Sequence, residues 1–595
     1  MWKLLLKNKK DLLIEPDHLA ESKHGDVVVV KRIIARRGRA SAVVKLVIDK
    51  AHLFTIAYTS RDGEGHFSII NIRTGEPTHA VMEGMDLKAF KIGTVFKVDV
   101  EDEQVLEILG NLDDAKVDEK ISLALYHRED TFPPECINDA LEVEAIVNKA
   151  EHPQRIDLSN LDFCTIDPVS AKDFDDAIYF DRQSYSLYVA IADVSHYVPY
   201  FTPIDKEAKK RGFTTYLPHK SFPMLPRELS EGICSLKPRV DRLAFVVKIE
   251  LDRVTLKPIK EHFFEAIIHS KHRFNYDDID KIITNKGKDS TGKVKDIVAY
   301  ILPLYEITRA LSQARLVHGF DFRSEETKLN IDKNHLLKAT EIETGTPAHS
   351  LIEECMLLAN QASAKRFTGE GDGIFRIHEP PQLSRIEQLL SELAMIGLYI
   401  QEYKDAPSLI RAIQNEAEKI GLSAEVDAMV IKSLRQASYM AENVGHFGLG
   451  FSHYSHFTSP IRRYSDLILH RLIKTQLTQD EEEAGYLLRN IEPLCARVSE
   501  LEREATKAEW DFRDRKFARW AKTHKGEVFE AEVIEAGESA KAKLLGDIKG
   551  VIVNLMGKNV MLFDRIEVQI TEVNIAQAII MSELLQKLDK DEMEL

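Results

Sequence analysis

Short runs in which apolar and polar residues alternate occupy both ends of the chain. Near the start such runs lie at residues 26–31, 66–71 and 93–100, with glycine-containing turns between them. The pattern returns at residues 528–533, 550–554 and 565–571. Alternation with a period of two is typical of strands with one buried face, and several short strands separated by turns favour small barrels. We therefore predict a small β-barrel region near each end.

The long middle part of the chain has a different pattern. From about residue 150 to 480, strand-like apolar runs are mixed with long amphipathic helical segments, and no linker rich in glycine, serine or proline interrupts them. This mixture predicts one large α/β body. Charged residues at helical spacing in residues 480–524 predict a solvent-facing helix that leads out of it. The predicted fold class is a multidomain α+β protein, in which small β-barrels flank a large mixed α/β domain.

Composition narrows the class of protein. The chain has 595 residues, of which 44% are hydrophobic and 30% are charged, as in an ordinary soluble protein of several domains. Its five cysteines are widely spaced and never form a CxxC pair, so neither a disulfide framework nor a thiolate zinc site is indicated. No apolar run reaches the roughly 18 residues of a membrane span. We expect a cytoplasmic protein with no membrane partner.

Local charge differs from the overall charge. The net charge of −16 argues mildly against nucleic acid as a partner. However, residues 27–46 contain six basic residues and no acidic one, namely Lys31, Arg32, Arg36, Arg37, Arg39 and Lys45. Two interpretations stay open, a solvated run of charge and a cationic hairpin that binds nucleic acid through Arg36, Arg37 and Arg39.

The most informative stretch is residues 164–177, which places four aspartates within ten residues: Asp167, Asp173, Asp175 and Asp176. So many like charges repel one another unless a cation lies among them. The alternative is a solvated acidic loop. Apolar runs at residues 178–180 and 187–194 follow directly and predict buried strands, so we expect the carboxylates to lie at a sheet edge, with Asp193 as a fifth carboxylate.

The donor atoms of this cluster suggest the kind of ion. Because no cysteine or histidine is interspersed among the aspartates after Cys164, oxygen ligands favour Mg²⁺ or Mn²⁺ over zinc. Mg²⁺ held by carboxylates usually keeps open positions for phosphate oxygens and water. The sequence therefore indicates phosphoryl chemistry.

A basic segment lies far along the chain. Ser459 and Pro460 predict a helix start, with Arg462 and Arg463 in its first turn. Cations are unfavourable at that end of a helix dipole unless an anion offsets them, so the arrangement suggests phosphate binding. The alternative, an i,i+3 surface pair between Arg463 and Asp466, accounts for one arginine but not for both.

Two histidines precede this segment. His453 and His456 have a spacing that would allow metal ligation, but no zincin-type helix surrounds them. Structural histidines with satisfied hydrogen bonds are the favoured interpretation.

Six ordered motifs carry a resemblance to a known family. They lie at residues 165–177, 216–218, 223–226, 234–236, 376–380 and 453–464. The chain resembles the ribonuclease II/ribonuclease R (RNB) family of 3′→5′ exoribonucleases, and its arginine motif is more similar to ribonuclease R. The resemblance covers residues 150–515 strongly and both ends weakly.

The resemblance implies a domain order. We expect a truncated cold-shock-type β element at 1–49, a cold-shock-type OB barrel at 50–115 and a connecting segment at 116–150. The catalytic RNB domain with an exit helix should span 151–515, followed by an OB-type RNA-binding barrel at 525–580 and an acidic tail at 581–595. The part before the RNB domain is short for two complete barrels, which argues against auxiliary RNA binding and entry into duplex RNA.

The resemblance also implies roles for individual residues. Asp167, Asp173, Asp175 and Asp176 match the acidic residues that hold Mg²⁺ and are needed for cleavage, and Arg462 matches the arginine that grips the scissile phosphate. The implied RNA-binding residues are Tyr216, Phe322, Tyr276, Glu353 or Glu354, Arg462 and Arg463. Phe322 could equally be a core aromatic, because Phe320 is two residues away, and Tyr216 could simply pack a turn.

The implied activity is processive hydrolysis of single-stranded RNA to 5′-mononucleotides and a short limit oligonucleotide, with structured RNA as a further candidate substrate. The expected cofactor is Mg²⁺, with Mn²⁺ as a substitute, in a two-metal in-line displacement. The alternatives are an RNA-binding protein with an impaired catalytic site and a DNA exonuclease, which differs in recognition of the 2′-hydroxyl. A monomer is expected, and the sequence leaves an RNA helicase or the ribosome open as partners.

Overall fold

The computed structural model describes residues 2–4, 12–14, 18–20, 22, 27–34, 40–49, 54–288, 294–322, 326–401, 403–556 and 559–588. Arg36, Arg37, Arg39 and residues 589–595 of the acidic tail lie outside these ranges. The RNA-binding role of the three arginines therefore stays a prediction.

The first strands form a small sheet of their own. Its strands are β1 (Trp2–Leu4), β2 (Leu12–Ile14), β3 (Val27–Ile34) and β4 (Ala40–Asp49), in the order β1-β2-β4-β3. β3 and β4 pair antiparallel, as the hairpin interpretation of residues 27–46 requires. Ala42 and Val44 are buried in its core.

A second sheet occupies the segment predicted as an OB barrel. Its strands are β5 (Phe54–Arg61), β6 (Phe67–Asn71), β7 (Pro77–Thr78), β8 (Thr94–Asp99) and β9 (Val105–Asn111), in the order β7-β6-β5-β8-β9. Val95 and Phe96 are neighbours in β8 and point to opposite faces, and both are buried: Val95 packs in one cluster with Ile56, and Phe96 packs in another. Two helices follow, α1 (Val117–Leu125) and α2 (Pro134–Glu142).

The central body is built on a seven-stranded mixed sheet. Its strands are β10 (Ile156–Asp157), β11 (Cys164–Ile166), β12 (Asp176–Asp181), β13 (Ser186–Ala192), β16 (Asp241–Leu251), β17 (Pro258–His269) and β18 (His272–Phe274), in the order β10-β17-β16-β13-β12-β11-β18. β13 is buried on both faces, because it lies in the middle of the sheet and helix α7 (Pro347–Ala364) packs against it. This explains its almost unbroken apolar sequence.

Short strand pairs and helices surround this sheet. The strands pair as β14 (Thr215–Leu217) with β15 (Lys220–Phe222), β19 (Glu326–Ile331) with β20 (Leu337–Glu343) and β21 (Glu370–Ile377) with β22 (Ser438–Glu442). The other helices are α3 (Val194–Tyr197), α4 (Pro203–Arg211), α5 (Tyr276–Thr284), α6 (Val294–Arg315), α8 (Leu383–Met395), α9 (Ala406–Lys419), α10 (Ser423–Ser433), α11 (Tyr464–Thr478), α12 (Glu481–Arg489) and α13 (Ile491–Thr523). Within the described ranges, each helix is too short or too polar to cross a bilayer.

A closed barrel follows, with strands β23 (Val528–Glu535), β24 (Lys541–Leu544), β25 (Ile552–Met556), β26 (Arg565–Asn574) and β27 (Ile579–Lys587), in the order β23-β24-β25-β27-β26. The boundary expected at residue 580 is wrong, because β27 continues to Lys587. Ile580 and Ser582 point into the barrel, whereas the charged positions of this strand lie outside it. Residues 581–587 contain one acidic and one basic residue and are not part of an acidic tail, and they complete an amphipathic strand.

Helix α13 also departs from the prediction. It was expected to face solvent and to leave the body by residue 515, but it is 33 residues long and buries Phe512, Phe517 and Ala521 between α1, β14 and the C-terminal barrel. Three of its cations are buried as well, namely Arg515, Lys516 and Arg519. The Lys516 amine lies 2.8 Å from Asp118 Oδ2, and the Arg519 guanidinium donates to both oxygens of that carboxylate at 2.7 Å. Asp118 of α1 therefore pairs with two of the buried cations, and Asp511 of the same helix pairs with the third, Arg515.

This ion cluster predicts a stability effect. We expect Asp118→Asn to destabilise the protein by about 3–5 kcal/mol, because two buried cations would lose their counter-charge. Asp113→Asn is the matched control, since Asp113 and its partner Lys91 are 67% and 70% exposed and such pairs contribute little. Calorimetric melting of both variants checks the expectation, and equally small shifts would contradict it.

Candidate active site

The four aspartates lie at the ends of adjacent strands of the central sheet. Asp167 follows β11 directly, Asp176 is the first residue of β12, and Asp173 and Asp175 lie in the segment between the two strands. β11 and β12 pair antiparallel through Cys164 and Ile178. β11 is fully buried, and Ala177, Ile178 and Phe180 of β12 are buried. The apolar strands therefore hold the carboxylates together at one sheet end.

Burial makes this group of charges unfavourable. Asp175 is 4% exposed, and burial raises its pKa well above the ordinary range for a carboxyl group. Burial, followed by mutual repulsion, also raises the pKa values of Asp167 and Asp176. Asp167 Oδ2 is buried and has no hydrogen-bond partner in the described part of the chain. A cation would relieve both the repulsion and the missing contact.

The donor set fits a hard divalent ion. All four candidate ligands are carboxylates, which Mg²⁺ prefers, and such an ion often needs only one or two of them because it keeps several waters. No three of these side chains bring ligand oxygens within 4.8 Å of one another in the described structure. The arrangement is therefore more open than a closed metal cage, with room for water and substrate oxygens.

Asp193 has a different environment. It lies after β13 with its side chain fully buried, and its oxygens are 2.7 Å from the Arg155 guanidinium and 2.7 Å from the Lys474 amine. Burial opposes ionisation, but these two cations hold the pKa of Asp193 below its usual value. This carboxylate belongs to a structural ion cluster and not to the aspartate group.

The segment predicted to start a helix at Ser459 begins its helix later. Residues 460–462 form a turn, and α11 starts at Tyr464. The backbone N–H groups expected to bind an anion are already used, because Ser459 N donates to Asp466 Oδ1 and Ile461 N donates to Asp175 Oδ1, each at 2.9 Å. The prediction that a helix starts at Ser459 is therefore wrong, and these two N–H groups are not free to bind an anion. The turn at 460–462 instead connects this segment to the aspartates through Asp175.

The two arginines have different environments. Arg463 donates to Asp466 through Nε at 3.0 Å and Nη2 at 2.7 Å, which confirms the i,i+3 pair. The pair is not on the surface, since the Asp466 side chain is fully buried. Arg462 Nε lies 3.5 Å from Asp175 Oδ2, and the Arg462 side chain is 47% exposed. Arg462 is therefore the arginine that borders the aspartates and can still contact a ligand.

The structural interpretation of His456 agrees with its contacts. His456 is in contact with the Tyr439 hydroxyl at 2.8 Å, and burial, followed by the charge of Arg463, lowers its pKa well below the usual value. His453 lies 3.2 Å from the Ser452 hydroxyl. Neither histidine belongs to a three-ligand cluster in the described residues.

Two of the predicted tyrosines lie beside the aspartates. Tyr216 in β14 is 41% exposed, and its hydroxyl donates to Asp173 Oδ2 at 3.2 Å. Tyr276 begins α5, and its ring stacks on His349 with centroids 3.7 Å apart. Burial, followed by the charges of Asp176 and Asp167, raises the pKa of Tyr276 to about 12. The turn-packing alternative for Tyr216 is disfavoured, because its ring is not buried in the hairpin.

Phe322 is placed differently from the tyrosines. It is half-buried, lies 5.9 Å from Phe320 between ring centroids, and packs on the hydrophobic cluster formed with helices α8, α9 and α10. These contacts favour the core interpretation, and its role as a base clamp stays a prediction.

Glu353 and Glu354 of α7 differ in exposure. The Glu354 side chain is 5% exposed and accepts two hydrogen bonds from Arg315, at 2.9 and 2.7 Å. The Glu353 side chain is 58% exposed. Glu353 is therefore the better candidate for contact with RNA, whereas Glu354 holds α6 to α7.

Two neighbours of the site escaped the sequence analysis. Arg273 of β18 donates to the Pro168 and Val169 carbonyls at 2.5 and 3.0 Å, and its charge lowers the pKa of Asp167 against the effect of burial. His349 stacks on Tyr276. In the sequence Arg273 directly follows Lys271 and His272, so no local signal distinguishes it, and the pairing of β18 with β11 that brings it to the site is a tertiary contact.

Comparisons with known proteins agree with this architecture. A family model described as RNB domain matches residues 155–479, and one described as Ribonuclease R second OB domain matches residues 56–123. Ribonuclease R of Helicobacter pylori strain J99 is 37% identical over 526 residues, which cover 86% of this chain and 79% of that protein.

Solved structures share the fold. Mycoplasma genitalium RNase R in complex with ribose methylated single-stranded RNA superposes with a TM-score of 0.80 at 23% identity, covering 98% of this chain and 97% of the other. Yeast Ssd1, a pseudonuclease, superposes with a TM-score of 0.66 at 14% identity, covering 94% and 78%.

These matches confirm the predicted fold class, in which a mixed α/β RNB domain is combined with OB-type domains. Both the family model and the relative from Helicobacter pylori cover more than half of the chain. The predicted resemblance is confirmed in the same way. The chain belongs to the RNB family of 3′→5′ exoribonucleases, in the ribonuclease R group, and is an exoribonuclease.

Proposed function

We propose that this chain degrades single-stranded RNA processively by Mg²⁺-dependent hydrolysis, releases 5′-mononucleotides and leaves a short oligonucleotide. The observation that carries the proposal is the group of four aspartates bordered by the exposed guanidinium of Arg462 and the ring of Tyr216. The Mycoplasma relative that shares the fold is bound to single-stranded RNA, which supports the same class of substrate.

The aspartates would hold the metal. When bound, Mg²⁺ neutralises charge on the phosphate and activates water. Asp167 and Asp176, whose raised pKa values reflect burial and mutual repulsion, have the strongest need for a cation. Asp175 also accepts from Ile461 N and faces Arg462 Nε, so it ties the turn at 460–462 to the sheet. Mn²⁺ offers similar oxygen chemistry and should substitute.

The remaining side chains would position RNA. Arg462 can donate two parallel hydrogen bonds to a phosphate, while Arg463 maintains the turn through Asp466. Tyr216 and Tyr276 would present aromatic rings to bases, and Glu353, whose side chain is 58% exposed, would be the glutamate that contacts RNA. Structured RNA as a substrate, a monomeric state, and a helicase or the ribosome as partners remain predictions.

Loss of a metal-holding carboxylate tests the proposal directly. Asp176→Asn should lower turnover by several orders of magnitude and leave RNA affinity nearly intact, because it removes a metal ligand and a charge that repels phosphate. The assay uses 5′-labelled single-stranded RNA with Mg²⁺ or with EDTA, and a DNA strand of the same sequence. The wild type should shorten only the RNA, and only with Mg²⁺.

Asp181→Asn is the matched control for this assay. Asp181 ends the same strand β12, where it accepts from Gln183 N at 2.9 Å and from the Ser184 hydroxyl at 2.7 Å. It should retain wild-type activity. If Asp176→Asn kept more than about a tenth of the wild-type rate, the aspartates could not have this role, and a wild type that binds RNA without cleaving it would favour an impaired nuclease.

The second prediction separates the two arginines. Arg462→Ala should reduce kcat by about 100-fold or more with a smaller loss of melting temperature than Arg463→Ala, because its donors act on phosphate charge that develops in the transition state. Arg463→Ala should instead lower the melting temperature, because Asp466 would stay buried without its partner. Parallel measurement of kinetics and melting decides the assignment. A larger kcat loss in a fully stable Arg463→Ala would mean that the wrong arginine was chosen.

The third prediction concerns the limit product. Stacking on an aromatic side chain is worth roughly 1–3 kcal/mol per base, which matters little for a long RNA held at many positions and much for a short fragment. Tyr216→Ala should therefore release longer oligonucleotides while the initial rate on a long strand changes little. Tyr216→Phe, which keeps the ring and loses only the hydrogen bond to Asp173, should give the wild-type ladder. An unchanged ladder for Tyr216→Ala at unchanged stability would refute the clamp.

A further inference from the structure

A second cluster of metal-ligating side chains lies outside the aspartate group. It consists of Glu119 in helix α1, His219 in the turn between β14 and β15, and His335 in the turn between β19 and β20. One ligand atom from each residue lies within 4.8 Å of the others. Three segments that are distant in the sequence therefore converge on one point.

The surroundings of the cluster hold these side chains in place. The side chains of Glu119 and His219 are only 15% and 21% exposed, and His219 Nε2 is 2.7 Å from Glu119 Oε2. The His219 ring stacks on Phe512 of α13 with centroids 5.3 Å apart and contacts the His335 ring edge-on at 4.7 Å. The positions of the potential ligands are thus determined by packing and not by exposed, mobile side chains.

Two hydrogen-bonding observations bear on a ligand. His335 Nδ1 is buried and makes no hydrogen bond with the described part of the chain, although buried ring nitrogens normally have partners. Glu119 Oε1 accepts from the Lys220 amine at 3.1 Å, and Glu119 Oε2 faces His219, which is itself one of the three candidate ligands. A bound ion would give the His335 ring a polar contact without displacing Lys220.

We propose that Glu119, His219 and His335 form a second metal site that binds one Zn²⁺ ion. Two imidazoles and one carboxylate are a common zinc ligand set, with water in the fourth position, and imidazole favours zinc over Mg²⁺. Ligand distances of about 2.0–2.1 Å place neighbouring donor atoms of a tetrahedral site about 3.3 Å apart. The contact between His219 and Glu119 therefore has to open by roughly half an ångström, which side-chain rotation can supply.

The site would connect elements and would not take part in the chemistry. The ion would join the helix that follows the second sheet to two hairpins of the central body. One of these hairpins carries Tyr216, which is three residues before His219. The expected role is to hold this hairpin against α1 and α13.

The full-length protein tests the site. After dialysis against a chelator and return to excess Mg²⁺, which keeps the aspartates occupied, the wild type should bind one equivalent of Zn²⁺ in a calorimetric titration, and Zn²⁺ should raise its melting temperature. Mutation of a residue that only hydrogen-bonds to a metal ligand typically lowers the affinity for the metal by about 10–100-fold. Loss of a ligand in His335→Ala or Glu119→Gln should thus weaken binding by at least about tenfold and abolish the thermal shift.

The matched control is His66→Ala. His66 is an exposed histidine with Asp62 at 3.0 Å and Glu64 at 3.7 Å, so it has similar ligand types without a packed site. It should leave Zn²⁺ binding unchanged, and circular dichroism without zinc verifies that each variant is folded. The proposal is overturned if the wild type binds no Zn²⁺ in excess Mg²⁺, or if binding is the same in folded His335→Ala and Glu119→Gln.

Discussion

Repulsion among four carboxylates at the ends of β11 and β12 is the constraint on which the rest of the site depends. Like charges in a partly buried position stay together only if the chain holds them there and a cation compensates them. The buried strands provide the first condition. The positive charges of the adjacent Arg462 and Arg273 compensate part of the negative charge. Asp167 Oδ2 has no hydrogen-bond partner in the described residues, so a metal ion would compensate the rest.

The turn at residues 460–462 shows how this electrostatic need is shared between distant parts of the sequence. Its backbone donates to Asp175, and Asp466 holds both the turn and Arg463 from inside helix α11. One arginine is therefore used for structure, which leaves the other beside the aspartates. The adjacent arginines acquire different roles because Arg463 makes two hydrogen bonds to the buried Asp466, whereas Arg462 only approaches Asp175 at 3.5 Å and stays 47% exposed.

Helix α13 has a comparable role on a larger scale. It contacts α1, the hairpin of Tyr216 and the C-terminal barrel. The side chain of Glu509 in this helix accepts a hydrogen bond from the backbone N–H of Tyr216 at 2.8 Å. Asp118 allows this helix to bury Lys516 and Arg519. The position of the Tyr216 ring beside Asp173 thus depends on ion pairs formed far from the aspartates.

The sequence by itself determined the architecture, the aspartate group and the family, because period-two alternation, amphipathic helices and clustered like charges are local properties. It also indicated that only one of Arg462 and Arg463 would be free. Tertiary structure decided where α11 starts, which face of α13 is buried and that the last strand continues to Lys587. It also decided which charged residues are buried and which cations neutralise them, so that Asp193 pairs apart from the other aspartates and Glu354 is buried while Glu353 is exposed. These outcomes depend on partners such as Asp118, Arg155 and Arg315, whose proximity arises only when distant segments pack together.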